Sequence, residues 1–321
     1  MTPLSSVMVI HGGALGDFVL TLSVVRALRA AGARWIVMLA RGSHAALSLR
    51  GGADEFLNID IAPWHLLFVK QADITEELCR QLAPFDLVID LLGAPALTDR
   101  AGVINVEPRP NSSHRGHITD QWFGDLAKAG VVLDDREGLP QITTTAAERQ
   151  EAHDHLLRTI GVASDRIALM HPGSGSNSKC WPLERFIELA RRLRTHQIAA
   201  VFSIGPVEME RLTSADRRRL VDAAPLLSGA SIDELGRLLA ASDLYIGNDS
   251  GVSHLAAAIG TPSIAIFGPT DPVRWSPLGQ SLRTMTGHSG DCWPTVEEVL
   301  QTANSMLNPA DQRTVSASEA L

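Results

Sequence analysis

The sequence is short of cysteine: Cys79, Cys180 and Cys292 stand alone among 321 residues. Isolated thiols at such spacings build neither a disulfide framework nor a paired-cysteine metal knuckle, and they point to a reducing cytosol. No apolar run reaches the roughly 18 residues of a membrane-spanning helix, and residues 1–10 lack the basic start and long apolar core of an export signal. Positive charge is also in deficit. Twenty-eight Lys and Arg face 36 Asp and Glu, a net charge of −8. That balance disfavours a broad nucleic-acid surface and leaves small molecules as the expected partners, their anionic groups met by a few placed side chains.

Several catalytic signatures are missing as well. A dinucleotide fingerprint would need glycine at position 11, where the chain has His11, and the second strand ends in Ala40 and Arg41 without an acid for a ribose. The G-x-x-x-x-G-K-[ST] phosphate loop does not occur. Neither does G-x-S-x-G, which removes Ser250 as a hydrolase nucleophile. There is no D-x-D pair and no His, Cys or carboxylate group at metal-ligand spacing, so no metal ligands are expected.

What is present is an alternation of apolar runs and helical patterns. The clearest statement is LYIGNDSGVSHLAAAIGTPSIAIFGPTDPVRW, residues 244–275. It reads as a strand at 244–246, a turn at 247–251, a helix at 252–259 stopped by Gly260 and Pro262, and a strand at 263–267. In a parallel sheet such a strand-to-helix turn lies at the carboxyl edge, where the helix start offers N–H groups to an anion. The chain opens in the same way, with a strand at 7–10, a turn at 11–17 and a helix through Leu28. Strands are expected at 35–39, 56–59, 66–69 and 87–90, with a helix at 75–82. A mobile loop at 105–117 precedes a helix at 118–129.

After a polar connection at 138–145, a helix at 146–160 leads into a new first strand at 167–170. Then come a helix at 183–194, a strand at 199–204, a charged helix near 208–222, a helix at 232–241 and a last helix ending near 306. Ser231 with Glu234 and Thr295 with Glu298 read as capping boxes. The fold class is therefore α/β with two Rossmann-like domains facing a central cleft. Their expected bounds are 1–155 and 156–307, with a flexible tail at 308–321. The glycine-rich turns at 11–17, 171–181 and 247–254 all follow strands and are expected to face the cleft.

Within those turns a few residues carry chemistry. Asp17, at a helix entrance, would repel a phosphate on the same N–H groups, so it is either a general base for an attacking hydroxyl or simply a helix cap. Ser174, Gly175 and Lys179 suit an anion, Lys179 by its point charge, although a lone loop lysine is more often just solvated. Ser250 and Gly251 can present hydroxyl and N–H groups to a diphosphate. His254 either donates to it as well or is an ordinary core histidine. Asp249 pins the loop or accepts from a sugar hydroxyl. Glu208 receives ribose hydroxyls or is a solvated surface acid. Cys180 reads as a bystander.

Three motifs then carry a resemblance: GALGDFVLTLSVVRALR (13–29), HPGSGSNSKCWPLERFIELARRL (171–193) and YIGNDSGVSHLAAAIGTPSIAIFGPTDPVRW (245–275). In order and spacing the chain resembles glycosyltransferase family 9, typified by ADP-heptose:lipopolysaccharide heptosyltransferases of GT-B fold. Ser23 stands where that family usually has proline.

The resemblance implies inverting, metal-independent transfer of a sugar, heptose in the family's pattern, from a nucleotide diphosphate donor to a glycan or lipid-linked acceptor of lipopolysaccharide-core type. It implies an acceptor-side first domain, a donor-binding second domain, no cofactor beyond the ADP-heptose co-substrate, and a cytoplasmic enzyme with peripheral contact at the inner membrane. Asp17 matches the family's base and Lys179 its phosphate-binding lysine. Asp249, Ser250, Gly251 and His254 match its donor-diphosphate loop, and Glu208 its ribose ligand. A nucleotide-sugar epimerase of the same fold class and a non-catalytic nucleotide-sugar binding protein are the rival readings.

Overall fold

The computed structural model describes residues 4–68, 76–98, 100–111, 114–134, 138–161, 164–288 and 292–308. The chain divides into two compact units, Met1–Thr143 with Val273–Leu278, and Thr144–Pro272 with Gly279–Leu321. The division precedes the helix at 146–160 rather than cutting it at 155.

In the first unit the elements run β1 (Ser6–His11), α1 (Leu15–Ala30), β2 (Trp35–Ala40), α2 (Ala45–Arg50), β3 (Glu55–Asn58), α3 (Glu76–Leu82), β4 (Leu87–Asp90), β5 (Val103–Asn105) and α4 (Ile118–Lys128). The strands form a parallel sheet in the order β3-β2-β1-β4-β5. Central β1 has Val7, Met8, Val9 and Ile10 fully buried, as expected of a parallel strand covered on both faces. α1 buries ten of its 16 residues, and this fixes its N-terminus beside the carboxyl end of β1. Arg274 donates to the His114 carbonyl at 2.6 Å, and a His117 ring nitrogen meets the Ser276 carbonyl at 2.9 Å. These bonds hold the late segment 273–278 in this unit.

One expected element is different. Of the strand expected at 66–69, residues 66–68 do not form one: Trp64–Phe68 is a 3-10 turn, and Val69 lies outside the described residues. Trp64 and Leu67 are its buried members, and their three-residue spacing places them on one face of a 3-10 turn. A strand pattern would have placed them on opposite faces.

The second unit runs α5 (Ala146–Ile160), β6 (Ile167–His171), α6 (Leu183–Thr195), β7 (Ala199–Ile204), α7 (Pro206–Arg211), α8 (Ser214–Ala223), β8 (Leu226–Ser228), α9 (Ile232–Ala240), β9 (Leu244–Asn248), α10 (Gly251–Ile259), β10 (Ser263–Ile266), α11 (Pro272–Trp275, which crosses into the first unit), β11 (Leu282–Met285) and α12 (Val296–Leu307). Its parallel sheet has the order β11-β10-β9-β6-β7-β8. The core contains Met170, Trp181, Phe186, Phe202, Ile246 and Leu300, all nearly or fully buried.

The single charged helix expected near 208–222 is two helices. Thr213 opens a new capping box, its hydroxyl accepting from Asp216 N and its own N–H donating to the Asp216 carboxylate. The boxes expected at Ser231/Glu234 and Thr295/Glu298 are both formed. The tail expected at 308–321 lies outside the described residues beyond Asn308. Among the described residues no helix is long and apolar enough to cross a membrane.

Candidate active site

In the first unit the turn after β1 is built around Gly13. α1 begins with Ala14 as its N-cap and makes no side-chain capping bond. Asp17 therefore sits in the first helical turn and is not the cap residue; it is half-buried. A β-carbon on Gly13 would lie 2.8 Å from the His11 ring and 3.5 Å from Asp17 Oδ2, so glycine leaves open the space between these two side chains. The Gly13 N–H donates to His11 Nδ1 at 3.4 Å, which leaves Nε2 as the protonated nitrogen of a neutral ring.

His11 stays neutral because burial, then His44 and Arg41, lower its pKa to about 3. Burial and Arg41 likewise lower that of His44 to about 4. His44 stacks on Phe18 at 4.4 Å between centroids, and Arg41 Nε holds the turn by donating to the Gly12 carbonyl at 2.7 Å. Fully buried Asp90, at the end of neighbouring β4, accepts from Leu92 and Ala94 N–H at 2.8 Å each. It shapes the adjoining turn, and burial raises its pKa.

In the second unit, the carboxyl ends of β7, β6 and β9 bring the remaining predicted residues together. Buried Asn248 ties the turns to one another. Its side-chain amide donates to the carbonyls of Pro172 and Gly173 at 2.8 and 3.2 Å, and its oxygen accepts from Trp181 N at 2.8 Å. Ser174 Oγ donates to the Asp249 carbonyl at 2.6 Å. Lys179 Nζ meets Asp249 Oδ2 at 2.8 Å, with side-chain exposures of 34% and 7%. Thr270 Oγ1 donates to the same oxygen at 2.8 Å. Arg211 closes the second turn from the other side, donating to the carbonyls of Ser174 and Gly175 at 2.9 and 3.0 Å.

Glu208 is 8% exposed, which corrects the solvated-acid alternative. It accepts from Gly205 N at 2.9 Å and lies 3.9 Å from His171 Nε2. Its carboxylate fills the space over Gly173, where a β-carbon would come within 2.0 Å of Oε1. His171 donates Nδ1–H to the Ser203 carbonyl at 2.8 Å. Burial lowers its pKa, against the pull of Glu208. Burial raises that of the Cys180 thiol, which fits a bystander.

Ser250 is the N-cap of α10, yet its hydroxyl makes no capping bond. The N–H groups at the helix start are thus left without a capping side chain. Ser253 Oγ donates to the Asn248 carbonyl at 2.5 Å and lies 3.1 Å from the buried Tyr245 hydroxyl. His254, 5% exposed, is a buried residue of the first turns of α10.

This set of strand-end turns can be compared with known proteins. The model of glycosyltransferase family 9 (heptosyltransferase) matches residues 109–304, more than half of the chain. The chain belongs to glycosyltransferase family 9. Among curated proteins, lipopolysaccharide heptosyltransferase 3 of Escherichia coli is 30% identical over 146 residues, 44% of this chain and 42% of that relative. The chain thus spans less than half the length of the curated relative it matches. Two solved structures share the fold over 95% of this chain at 20% identity. They are a family 9 glycosyl transferase from Veillonella parvula, covered to 98% with a TM-score of 0.75, and the ADP-heptose lipopolysaccharide heptosyltransferase II of E. coli, covered to 99% with a TM-score of 0.71. As a family 9 member of GT-B fold, the chain has its two parallel α/β sheets accounted for.

The structure thus joins Ser174, Gly175, Lys179, Glu208, Asp249, Ser250, Gly251 and His254 in one unit and places Asp17 in the other. Sequence reasoning missed Asn248, Arg211 and Thr270. Only Asn248 left a signal, a side-chain amide closing an otherwise apolar strand.

Proposed function

We propose that this family 9 chain is an inverting, metal-independent glycosyltransferase that moves a sugar, taken to be heptose, from an ADP-type nucleotide diphosphate donor to a hydroxyl of a lipopolysaccharide-core acceptor. The observation that carries the reading is the uncapped start of α10 beside Lys179, at the carboxyl ends of adjacent strands. Such a helix start, with an adjacent cation, suits a diphosphate. The names of the family and of the relatives above support the donor and acceptor classes.

In this reading the acceptor oxygen attacks the anomeric carbon from the face opposite the leaving group. As that C–O bond forms, the bond to the diphosphate oxygen breaks and the nucleoside diphosphate departs with the electron pair. Asp17 takes the acceptor proton. Lys179 and the N–H groups of residues 251 and 252 receive the leaving group's charge. Glu208 receives the ribose hydroxyls, Ser174 and Gly175 shape the phosphate cradle, and Ser250 and His254 donate to it.

The second unit is the donor-binding domain and the first the acceptor-side domain. No metal is assigned a role. The working place is the cytoplasmic side of the inner membrane, in peripheral contact with it.

The test is release of nucleoside diphosphate from ADP-heptose with and without a heptose-deficient core acceptor, in buffer containing EDTA. Acceptor-dependent release is expected. An epimerised donor formed without acceptor, saturable binding with no release, or release abolished by EDTA and restored by a divalent ion would contradict the corresponding part of the proposal.

A further inference from the structure

Arg41 directly follows β2 and is exposed at the carboxyl edge of the first sheet. Its Nε donates to the carbonyl of buried Gly12 at 2.7 Å, which fixes the guanidinium beside the turn after β1. That bond uses one corner of the planar group and leaves both terminal nitrogens. Among the described residues neither of them has a hydrogen-bond acceptor or an ion-pair partner. Asp60 acts on the His44 ring as Arg41 does, yet no ion pair joins Asp60 to Arg41. His11 and His44 are buried and neutral, so of the basic side chains gathered here Arg41 is the charged one. The turn it holds leads to Asp17. A β-carbon on Gly12 would come within 3.5 Å of the Phe68 ring, and one on Gly13 within 3.5 Å of Asp17 Oδ2. Phe68 is 51% exposed. An exposed, anchored cation, an exposed aromatic ring and a carboxylate thus border the same pair of glycines.

We propose that Arg41 is an acceptor-binding residue: it takes an oxyanion, a carboxylate or phosphate ester, on the acceptor sugar whose hydroxyl meets Asp17, while that sugar's C–H face lies on Phe68. A guanidinium engaged at Nε presents its terminal nitrogens as a fork, and the paired oxygens of a carboxylate or phosphate match it. A large exposed apolar side chain is the informative exception at a surface, and the C–H face of a sugar ring would take it out of water. This role rests on Asp17 as the proposed base, and it makes the acceptor an acidic sugar. The bond to Gly12 ties the anion's position to that of the turn, so the charge aligns the hydroxyl as well as retaining the sugar.

The test titrates the full chain calorimetrically, with ADP present, against a heptose-deficient core oligosaccharide that is intact, methyl-esterified at its carboxyl groups, or dephosphorylated. The unaltered chain should bind the intact form about tenfold or more tighter than a neutralised form. Loss on esterification identifies a carboxylate, and loss on dephosphorylation a phosphate. Arg41→Met should bring the intact form down to the affinity of that neutralised form, whose own affinity stays within about twofold. Arg41→Lys should keep part of the preference through its point charge, and Phe68→Ala should weaken every form alike. If Arg41 served only to hold Gly12, Arg41→Met would weaken every form by the same factor. That result overturns the proposal, and so does equal binding of all forms by the unaltered chain, which needs no variant to fold. ADP release from ADP-heptose separates this role from the reaction it rests on. A preference that depends on Arg41, without release from any form, refutes the transferase reading and leaves Arg41 as an acidic-sugar site; release without the preference does the reverse.

Discussion

At the scale of single residues, the Lys179–Asp249 pair says most about the site. Its partners are 70 positions apart in sequence, so the pairing was not legible. Sequence reasoning left Asp249 either to pin the loop or to accept from a sugar hydroxyl; in the structure its carboxylate accepts from Lys179 and Thr270. Lys179 thus has an anion in place already, which the proposed donor diphosphate would have to share or draw away. A charge-assisted bond of about 1.5–3 kcal/mol corresponds to roughly 10- to 150-fold in Kd. Lys179→Ala should weaken ADP binding by that factor in a calorimetric titration, and unchanged affinity would remove Lys179 from the site. His11 and His44 make a separate prediction. Their folded pKa values, about 3 and about 4, lie below the unfolded value of about 6.5, so between those limits the unfolded chain binds more protons. Their contribution to stability is full above pH 6.5 and is lost progressively as the pH falls towards 3. His11→Asn, which keeps an acceptor for the Gly13 N–H, should make the fall in stability between pH 6.5 and 4.5 shallower by up to about 1.4 kcal/mol per pH unit. Urea midpoints at several pH values measure this, and identical slopes in both proteins would refute it.

At the scale of elements, legibility followed length and burial. β1, β6 and β9 are buried runs that each end in a small-residue turn, and the sequence shows them plainly. β5, β8 and β11 do not show, because they are three- or four-residue edge strands with half-exposed side chains and no alternation to detect. The turn after β6 shows how an element is fitted to its neighbour. Gly173 is required by the Glu208 carboxylate that arrives from α7, whereas a β-carbon on Gly175 would meet nothing within 4 Å. Gly173→Ala should therefore cost about 1–3 kcal/mol, as overpacking does, and raise the Kd for ADP by displacing Glu208. Gly175→Ala should leave stability nearly unchanged. Chemical denaturation of the two variants side by side checks the contrast, and equal effects would contradict it.

At the scale of the whole molecule, two parallel sheets follow one plan, each with a central strand that delivers a turn and a helix start at its carboxyl end. That repetition made the two-domain α/β class readable from pattern alone. The allotment of 273–278 to the first unit was not readable, since it depends on bonds from Arg274 and to Ser276 that join positions about 160 residues apart. The residues of the proposed donor cradle belong to the second unit and Asp17 to the first, so the proposed transfer needs a group from each. The most direct measurement is turnover and ADP affinity of Asp17→Asn beside the unaltered chain. Removal of a general base should lower transfer by about 100- to 10,000-fold and leave the Kd for ADP within about twofold. Near-normal turnover, or a loss of turnover explained entirely by lost donor binding, would contradict the assignment of Asp17 as the base.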